Sequence, residues 1–222
     1  MIRRTPEATS LTFAFHVKHP PDARALLEQA ETLGLHLSDD QGERLLRFEA
    51  LLLERAVPLG FVAEADAPRI RTRHILDCLR AAVAVRPEDR TAVDLGTGAG
   101  LPGVVLGIAA PHLALTLVDT QRRRVAFVEF AVETLGLANA VAHHGRAEDL
   151  RGPVDLCFAR AFAPLSAAWE TARSLLGWAG RLVYFAGEGF REPLDVPGAA
   201  SWSLLEAPVL ESAGPLVIMS RQ

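Results

Sequence analysis

Thr91-Ala92-Val93-Asp94-Leu95-Gly96-Thr97-Gly98-Ala99-Gly100-Leu101-Pro102-Gly103 is the stretch that decides the fold. A short apolar run ends in an acid, a glycine-rich turn follows at once, and Pro102 opens a second apolar run from Val104 to Ala110. That order reads as a strand, a tight loop and a buried helix. Glycine admits positive φ and lets backbone N–H groups come close to a ligand that a Cβ would obstruct. Pro102 suits a first helical turn, where its missing N–H costs nothing.

Two spellings of the loop compete. Gly98-Ala99-Gly100-Leu101-Pro102-Gly103 fits G-x-G-x-x-G, the dinucleotide fingerprint whose helix N-terminus takes a pyrophosphate. Asp94 gives the other frame, Asp-x-Gly-x-Gly-x-Gly over 94 to 100, with a carboxylate suited to a ligand bearing an amino group. That frame resembles motif I of class I S-adenosylmethionine-dependent methyltransferases. The loop alone leaves either cofactor open, and also a glycine turn that binds nothing. Asp119 closes the next alternating run, Leu113 to Asp119, 19 residues beyond Gly100. A nucleotide fold puts there the carboxylate that takes the ribose hydroxyls. Asp119 therefore points to a nucleoside without choosing between the two cofactors. Gly145-Arg146-Ala147-Glu148-Asp149-Leu150, after a short third strand at Ala140 to His143, weighs on the choice. A methyltransferase holds the adenine amino group with acids at that place, and an NAD enzyme has less reason for them.

Composition sets the outer bounds. The chain has 222 residues, half of them apolar, and no uninterrupted apolar run near the roughly 20 residues of a membrane span. Arg3 and Arg4 have no apolar segment behind them, so no signal peptide is expected and a cytoplasmic protein is. Cys78 and Cys157 are far apart and unpaired in spacing, which suggests neither zinc nor a disulfide, and no metal is expected. The formal charge of −4 does not announce a nucleic-acid binder. Its distribution is more telling: Lys18 is the single lysine, and arginines gather at Arg69, Arg71 and Arg73 and again at Arg122, Arg123 and Arg124. Arginine forks suit phosphates; solvated surface is the plainer alternative.

Residues 1–21 show no sustained period and read as a flexible tail. A helical extension occupies 22–70: one helix from Asp22 ending near Gly34, and a second from Ser38, with Gln41 as its capping-box partner and Leu45, Leu46, Leu52 and Leu53 inward. The main domain, 71–222, opens on a helix from Arg71 to about Val85, with Ile75, Leu76, Leu79, Ala82 and Val83 inward and His74 as a neutral structural histidine. After the second strand, Arg123 to Gly136 reads as a helix. A fourth strand around Val154 to Ala159 places Arg160 at its carboxyl end, where open α/β sheets bind ligands. A helix from Leu165 to Gly177, a strand at Arg181 to Phe185, a Gly- and Pro-rich loop at 186 to 200, and closing strands at Ser201 to Leu205 and Leu216 to Met219 follow. His143 and His144 would point to opposite faces of a strand, so they are not expected to share a metal.

His74-Ile75-Leu76-Asp77-Cys78-Leu79, the loop from Asp94 to Gly103, Asp119-Thr120-Gln121-Arg122-Arg123-Arg124-Val125-Ala126-Phe127, Arg146-Ala147-Glu148-Asp149 and Ala159-Arg160-Ala161-Phe162-Ala163-Pro164-Leu165 together resemble the ribosomal RNA small subunit methyltransferase G family over about residues 22 to 185. The resemblance implies an α/β class I methyltransferase fold, Rossmann-like, with a mostly parallel seven-stranded sheet and helices on both faces. It implies S-adenosylmethionine as cofactor and N7 methylation of guanosine 527, in the 530 loop of 16S ribosomal RNA, as activity. The partner would be 16S RNA or the assembling small subunit, without membrane or metal, and the enzyme is expected to be monomeric. The family's cofactor contacts fall on Gly96, Leu101, Ala147, Glu148 and Arg160, to which the motif reading adds Asp94, Gly98, Gly100 and Asp119. The chain departs from the family at Val57-Pro58-Leu59-Gly60-Phe61, where an Asn-Leu-Thr type of segment is usual, and at Ala186-Gly187, where Lys-Gly is usual.

Guanine N7 has a lone pair and no proton, so transfer to it requires alignment rather than a general base. Arg160 is the candidate that orients cofactor or guanine; Arg71, Arg73, Arg122, Arg123 and Arg124 are candidates for RNA phosphates. A small-molecule methyltransferase, another RNA as target and a non-catalytic S-adenosylmethionine-binding paralogue stand as alternatives. An NAD-linked oxidoreductase would need a Tyr-Lys pair or a His acid, and Tyr184 lies in a strand while Lys18 lies in the tail.

Overall fold

A computed structural model describes residues 23–190, 199–205, 210 and 213–221. The expected tail and part of the loop at 186 to 200 lie outside the described residues. Strands Thr91–Leu95 (β1), Ala114–Asp119 (β2), Ala140–His144 (β3), Val154–Arg160 (β4), Leu176–Phe185 (β5), Ala199–Leu205 (β6) and Leu216–Arg221 (β7) form one sheet in the order β3-β2-β1-β4-β5-β7-β6. Pairs among β1 to β5 are parallel; β7 runs antiparallel to both β5 and β6. The order reverses at β1 and β4, the point at which such sheets open a crevice beyond their carboxyl ends.

Alternation along β1 assigns the faces. Ala92 joins a core with helices Asp39–Leu51 (α2), Gly103–Ala109 (α4) and Arg122–Leu135 (α5); Val93 and Leu95 join a second core with Leu165–Leu175 (α6). Asp94, on the same side of the strand as Ala92, therefore points at the start of α4. The amino-terminal helices, Ala23–Thr32 (α1) and α2, bury Leu26, Leu45 and Phe48 in the first core together with Val104, Leu117 and Phe127. Each such large side chain contributes about 1.5–3 kcal/mol on burial.

The capping box at Ser38 is present in both directions, Gln41 N–H donating to Ser38 Oγ at 3.3 Å and Ser38 N–H to Gln41 Oε1 at 2.9 Å. The inward side of α2 differs in part from the expected one. Leu45 and Leu52 are buried as expected, yet Phe48 and Leu51 are buried too and Leu46 is only half-buried; beyond the end of α2 the chain widens to a π pitch over Leu52–Ala56, where Leu53 is 40% exposed. The helix expected from Arg71 is likewise irregular: a π segment Ile70–Leu76, one α turn Asp77–Leu79 (α3) and a 3-10 segment Arg80–Ala84. Cys78 and Ala81 are buried there, and Val83 is exposed. Gly136 ends α5 in the left-handed region, φ 63°, as a helix-stopping glycine does. β5 starts at Leu176, five residues before the expected Arg181, and pairs through a register shift with β4.

Candidate functional site

At the carboxyl ends of β1, β2 and β4 the chain leaves the sheet in three tight turns. Gly96, Gly98 and Gly100 take φ of 68°, 57° and 83°. A Cβ on Gly96 would lie 2.7 Å from Phe162 Cδ2, so loop and β4 exit close on each other only because position 96 has no side chain. Ala161 has φ 53° without being glycine, a strained conformation at the turn out of β4.

Two cavities flank that turn, and Ala161 borders both. The smaller, about 210 Å³, is lined by Gly96, Asp119, Thr120, Arg124, Ala147 and Phe162, among others. Asp119 is 5% exposed, and its carboxylate accepts from Gly98 N–H at 3.0 Å and from Gln121 N–H at 2.8 Å. These bonds hold the glycine loop against the end of β2 and leave lone pairs for a ligand hydroxyl. The larger cavity, about 560 Å³, lies on the β5 side and includes Asp66, Arg73, His74, Asp77, Arg160 and Tyr184 in its wall.

The candidate residues divide unequally between these places. Asp94 does not reach either cavity. It is fully buried, and its Oδ2 accepts from Gly103 N–H at 2.8 Å, so it caps α4 instead of meeting a ligand amino group. Burial pushes its carboxyl up to about 6, against the opposing pull of the Thr97 hydroxyl, the Gly103 N–H and Arg160. Asp94 Oδ1 and Thr97 Oγ1 are both buried, and the Thr97 hydroxyl acts on the carboxyl without reaching full hydrogen-bond geometry among the described residues. Gly103 is required here, since a Cβ would overlap Leu117 and lie 2.7 Å from Asp94 Oδ2. Gly100 and Leu101 also face inward: a Cβ on Gly100 would meet Val104 and Phe48, and Leu101 is 6% exposed in the core. Ala147 lines the smaller cavity, while Glu148 beside it is exposed, 3.5 Å from Arg146.

The two arginine clusters are each split. Arg71 is not available to a phosphate: its Nε and Nη2 grip Glu49 at 2.9 and 3.3 Å, a two-pronged bond that ties the segment after residue 70 to α2. Arg73 is exposed and 3.1 Å from Asp66. Arg122 and Arg123 are exposed on the first turn of α5, and the Arg123 guanidinium lies 6.0 Å from the Phe61 ring. Arg124 turns inward from the same helix turn, 3.6 Å from Asp119, and lines the smaller cavity.

Arg160 lines the larger cavity, not the smaller. It donates from Nε to Asp77 Oδ2 at 3.1 Å and from Nη2 to Arg73 O at 3.1 Å and His74 Nδ1 at 3.0 Å. Burial, with the Arg160 charge acting in the same sense, lowers His74 to about 4, while Asp66 and Asp77 oppose the shift. A neutral imagined core histidine is thus found, but bonded to the site. Asp66, Asp77, Thr120 and Phe162 were not singled out from sequence. Phe162 and Asp77 stand in segments whose pattern was noticed, but nothing local distinguishes a wall residue from a packed one.

A family model described as rRNA small subunit methyltransferase G matches residues 41–200. A protein of that name from Acidovorax sp. (strain JS42) is 41% identical over 160 residues, 66% of this chain and 71% of that protein; one from Corynebacterium diphtheriae is 32% identical over 195 residues, 85% and 82%. The chain belongs to the ribosomal RNA small subunit methyltransferase G family. Its fold is that of class I methyltransferases. A SAM-dependent methyltransferase from Aquifex aeolicus superposes with a TM-score of 0.55 at 16% identity, covering 73% of this chain and 98% of that one, and a methyltransferase from Geobacter sulfurreducens also with 0.55, at 14% identity, covering 78% and 87%. Ala186, where the resemblance leads one to expect a lysine, stands in the wall of the larger cavity.

Proposed function

We propose that the chain is the S-adenosylmethionine-dependent enzyme that methylates N7 of guanosine 527 in the 530 loop of 16S ribosomal RNA, in the cytoplasm. The observation that carries this reading is the pair of cavities meeting at Ala161 beside the motif I loop, in a chain of this family. The smaller cavity fits the nucleoside half of the cofactor: it has a carboxylate at Asp119, a glycine at 96 where a side chain would obstruct, and Ala147 and Phe162 as apolar walls. Bound there, the cofactor supplies an electrophilic methyl group on a sulfonium.

Asp119 and Gly96 hold the nucleoside, and Arg124 faces the Asp119 carboxylate at 3.6 Å. The acceptor guanine enters the larger cavity, with Arg160 orienting it. N7 already carries its lone pair, so no residue has to remove a proton before transfer. Orientation of nucleophile and methyl carbon in line supplies the acceleration. A base in a loop can be splayed from its strand into such a pocket and stacked there, as single-stranded RNA is commonly read. Arg73, Arg122 and Arg123 contact RNA phosphates. Residues 22–70 form a substrate-side extension that shares the main domain's core, which Phe48 against the glycine loop supports. Mass mapping of small-subunit RNA from cells with and without the gene tests the reading; an unchanged 530 loop removes it. Calorimetry with S-adenosylmethionine and with NAD separates the cofactors.

A further inference from the structure

We propose that His74 is a positioning residue for Arg160, a fixed-tautomer imidazole whose Nδ1 lone pair sets the plane of the guanidinium at the wall of the larger cavity. The inference rests on the reading that this cavity receives the methyl acceptor.

Three of the five N–H donors of Arg160 are committed: Nε to Asp77 Oδ2, and the Nη2 pair to Arg73 O and His74 Nδ1, all at 3.0–3.1 Å. Among the described residues the two donors on Nη1 have no hydrogen-bond acceptor, and they are on the side chain that lines the cavity. Asp77 and the Arg73 carbonyl both come from the helical stretch that carries His74. The imidazole supplies the third anchor, so the guanidinium is fixed against rotation and not merely tethered.

An imidazole that accepts at Nδ1 from a cation must be neutral and carry its proton on Nε2. That proton faces Asp66: Nε2 is buried 3.4 Å from Asp66 Oδ2, a loose contact that falls short of full hydrogen-bond geometry. His74 is 8% exposed. A phenylalanine would fill this space as well, but it would offer Arg160 no acceptor. Packing alone thus does not account for an imidazole, whereas the acceptor at Nδ1 does. The charged groups facing the ring are Arg160 from β4, Asp66 from the 3-10 turn Glu64–Arg69, and Arg73 and Asp77 from its own helical stretch. Burial and Arg160 prevail over the two carboxylates, and the ring stays neutral through the physiological range.

The test uses the full chain with His74→Phe and His74→Asn. Asparagine places an acceptor oxygen where Nδ1 stood; phenylalanine places none. With small-subunit particles and S-adenosylmethionine at saturation, kcat is expected to fall about 10- to 100-fold in His74→Phe and to return to within about threefold of the parent in His74→Asn. Unchanged kcat in His74→Phe, or equal loss in both variants with unaltered melting temperatures, overturns the proposal. Nitrogen-15 resonances of the parent imidazole give an answer even where a variant fails to fold. The Nε2–H neutral form is expected throughout about pH 5 to 8. A ring that titrates near its ordinary value, or carries its proton on Nδ1, overturns the proposal. If the parent itself transfers no methyl group to the particles, the functional reading fails, and the resonances still decide whether His74 anchors Arg160.

Discussion

Asp94 and Asp119 both stand near the carboxyl ends of neighbouring strands, next-to-last in β1 and last in β2, and both accept backbone N–H groups. They nevertheless do different work. Asp94 is sealed between β1 and α4 with its carboxyl raised to about 6; Asp119 opens on a cavity with lone pairs to spare. The difference comes from depth along the sheet and not from its face. Asp94 pairs with Leu117 on the side that α4 covers, whereas Asp119 lies on that same side two residues further out, where the glycine loop crosses it and the smaller cavity opens. The same contrast runs through the arginines, where Arg71 and Arg124 face inward and Arg122 and Arg123 face water.

The largest expected effect lies at Asp119. Asp119→Ala removes a charged acceptor for the ligand and the tie to Gly98, and S-adenosylmethionine should bind about 30- to 150-fold more weakly, about 2–3 kcal/mol by calorimetry. Equal affinity would erase the distinction between the two acids. Arg71→Ala should cost about 2 kcal/mol in urea unfolding, below the figure for a fully buried pair because the Arg71 side chain is 22% exposed, and should leave the salt dependence of RNA binding unchanged.

Asp94→Asn should act through pH. The folded carboxyl lies near 6 and the ordinary value is 3.8, so the fold holds a proton that the unfolded chain releases. The resulting stabilisation is complete below the ordinary value and is lost as pH rises through 6. Between about pH 5 and 7.5 the parent should lose roughly 1 to 2 kcal/mol relative to Asp94→Asn, measured by urea titration at both pH values. A constant difference would show that Asp94 is ionised throughout.

Arg122 and Arg123 replaced together by alanine should leave stability within about 0.5 kcal/mol. The slope of log K against log salt should fall by about 1.4, the value for two phosphates on a single strand. The smallest effect is expected at Trp178, 81% exposed and remote from both cavities, where Trp178→Ser should change stability by less than about 0.5 kcal/mol and activity not at all.

Much of the site could be read in order along the chain because its elements are local. The strand, the glycine loop and the capped helix that follows are contiguous. The Ser38–Gln41 box and the Gly136 stop are each set within four residues. Asp119 is legible because a strand-end carboxylate has few other uses at that spacing. The inward face of α2 was legible only in part: Leu45 packs inward as its pattern suggests, but Phe48 takes the place expected of Leu46, because the groups that bury one side of this helix come from distant elements. Nor could Arg124 be told from Arg123, because adjacent helical residues differ by about 100° in direction and their surroundings are assembled by distant strands.

By itself the sequence determined the parallel α/β core and the place of the glycine loop, which depend on short-range pattern and spacing, and its motifs carried the resemblance to the family. The tertiary structure decided which charges are spent inside the protein. Asp94 belongs to α4, Arg71 to Glu49 and Arg160 to Asp77 and His74, partners 9, 22, and 83 and 86 residues away. A charge's role depends on what desolvates and pairs it, and packing brings those groups together from positions that no local pattern links.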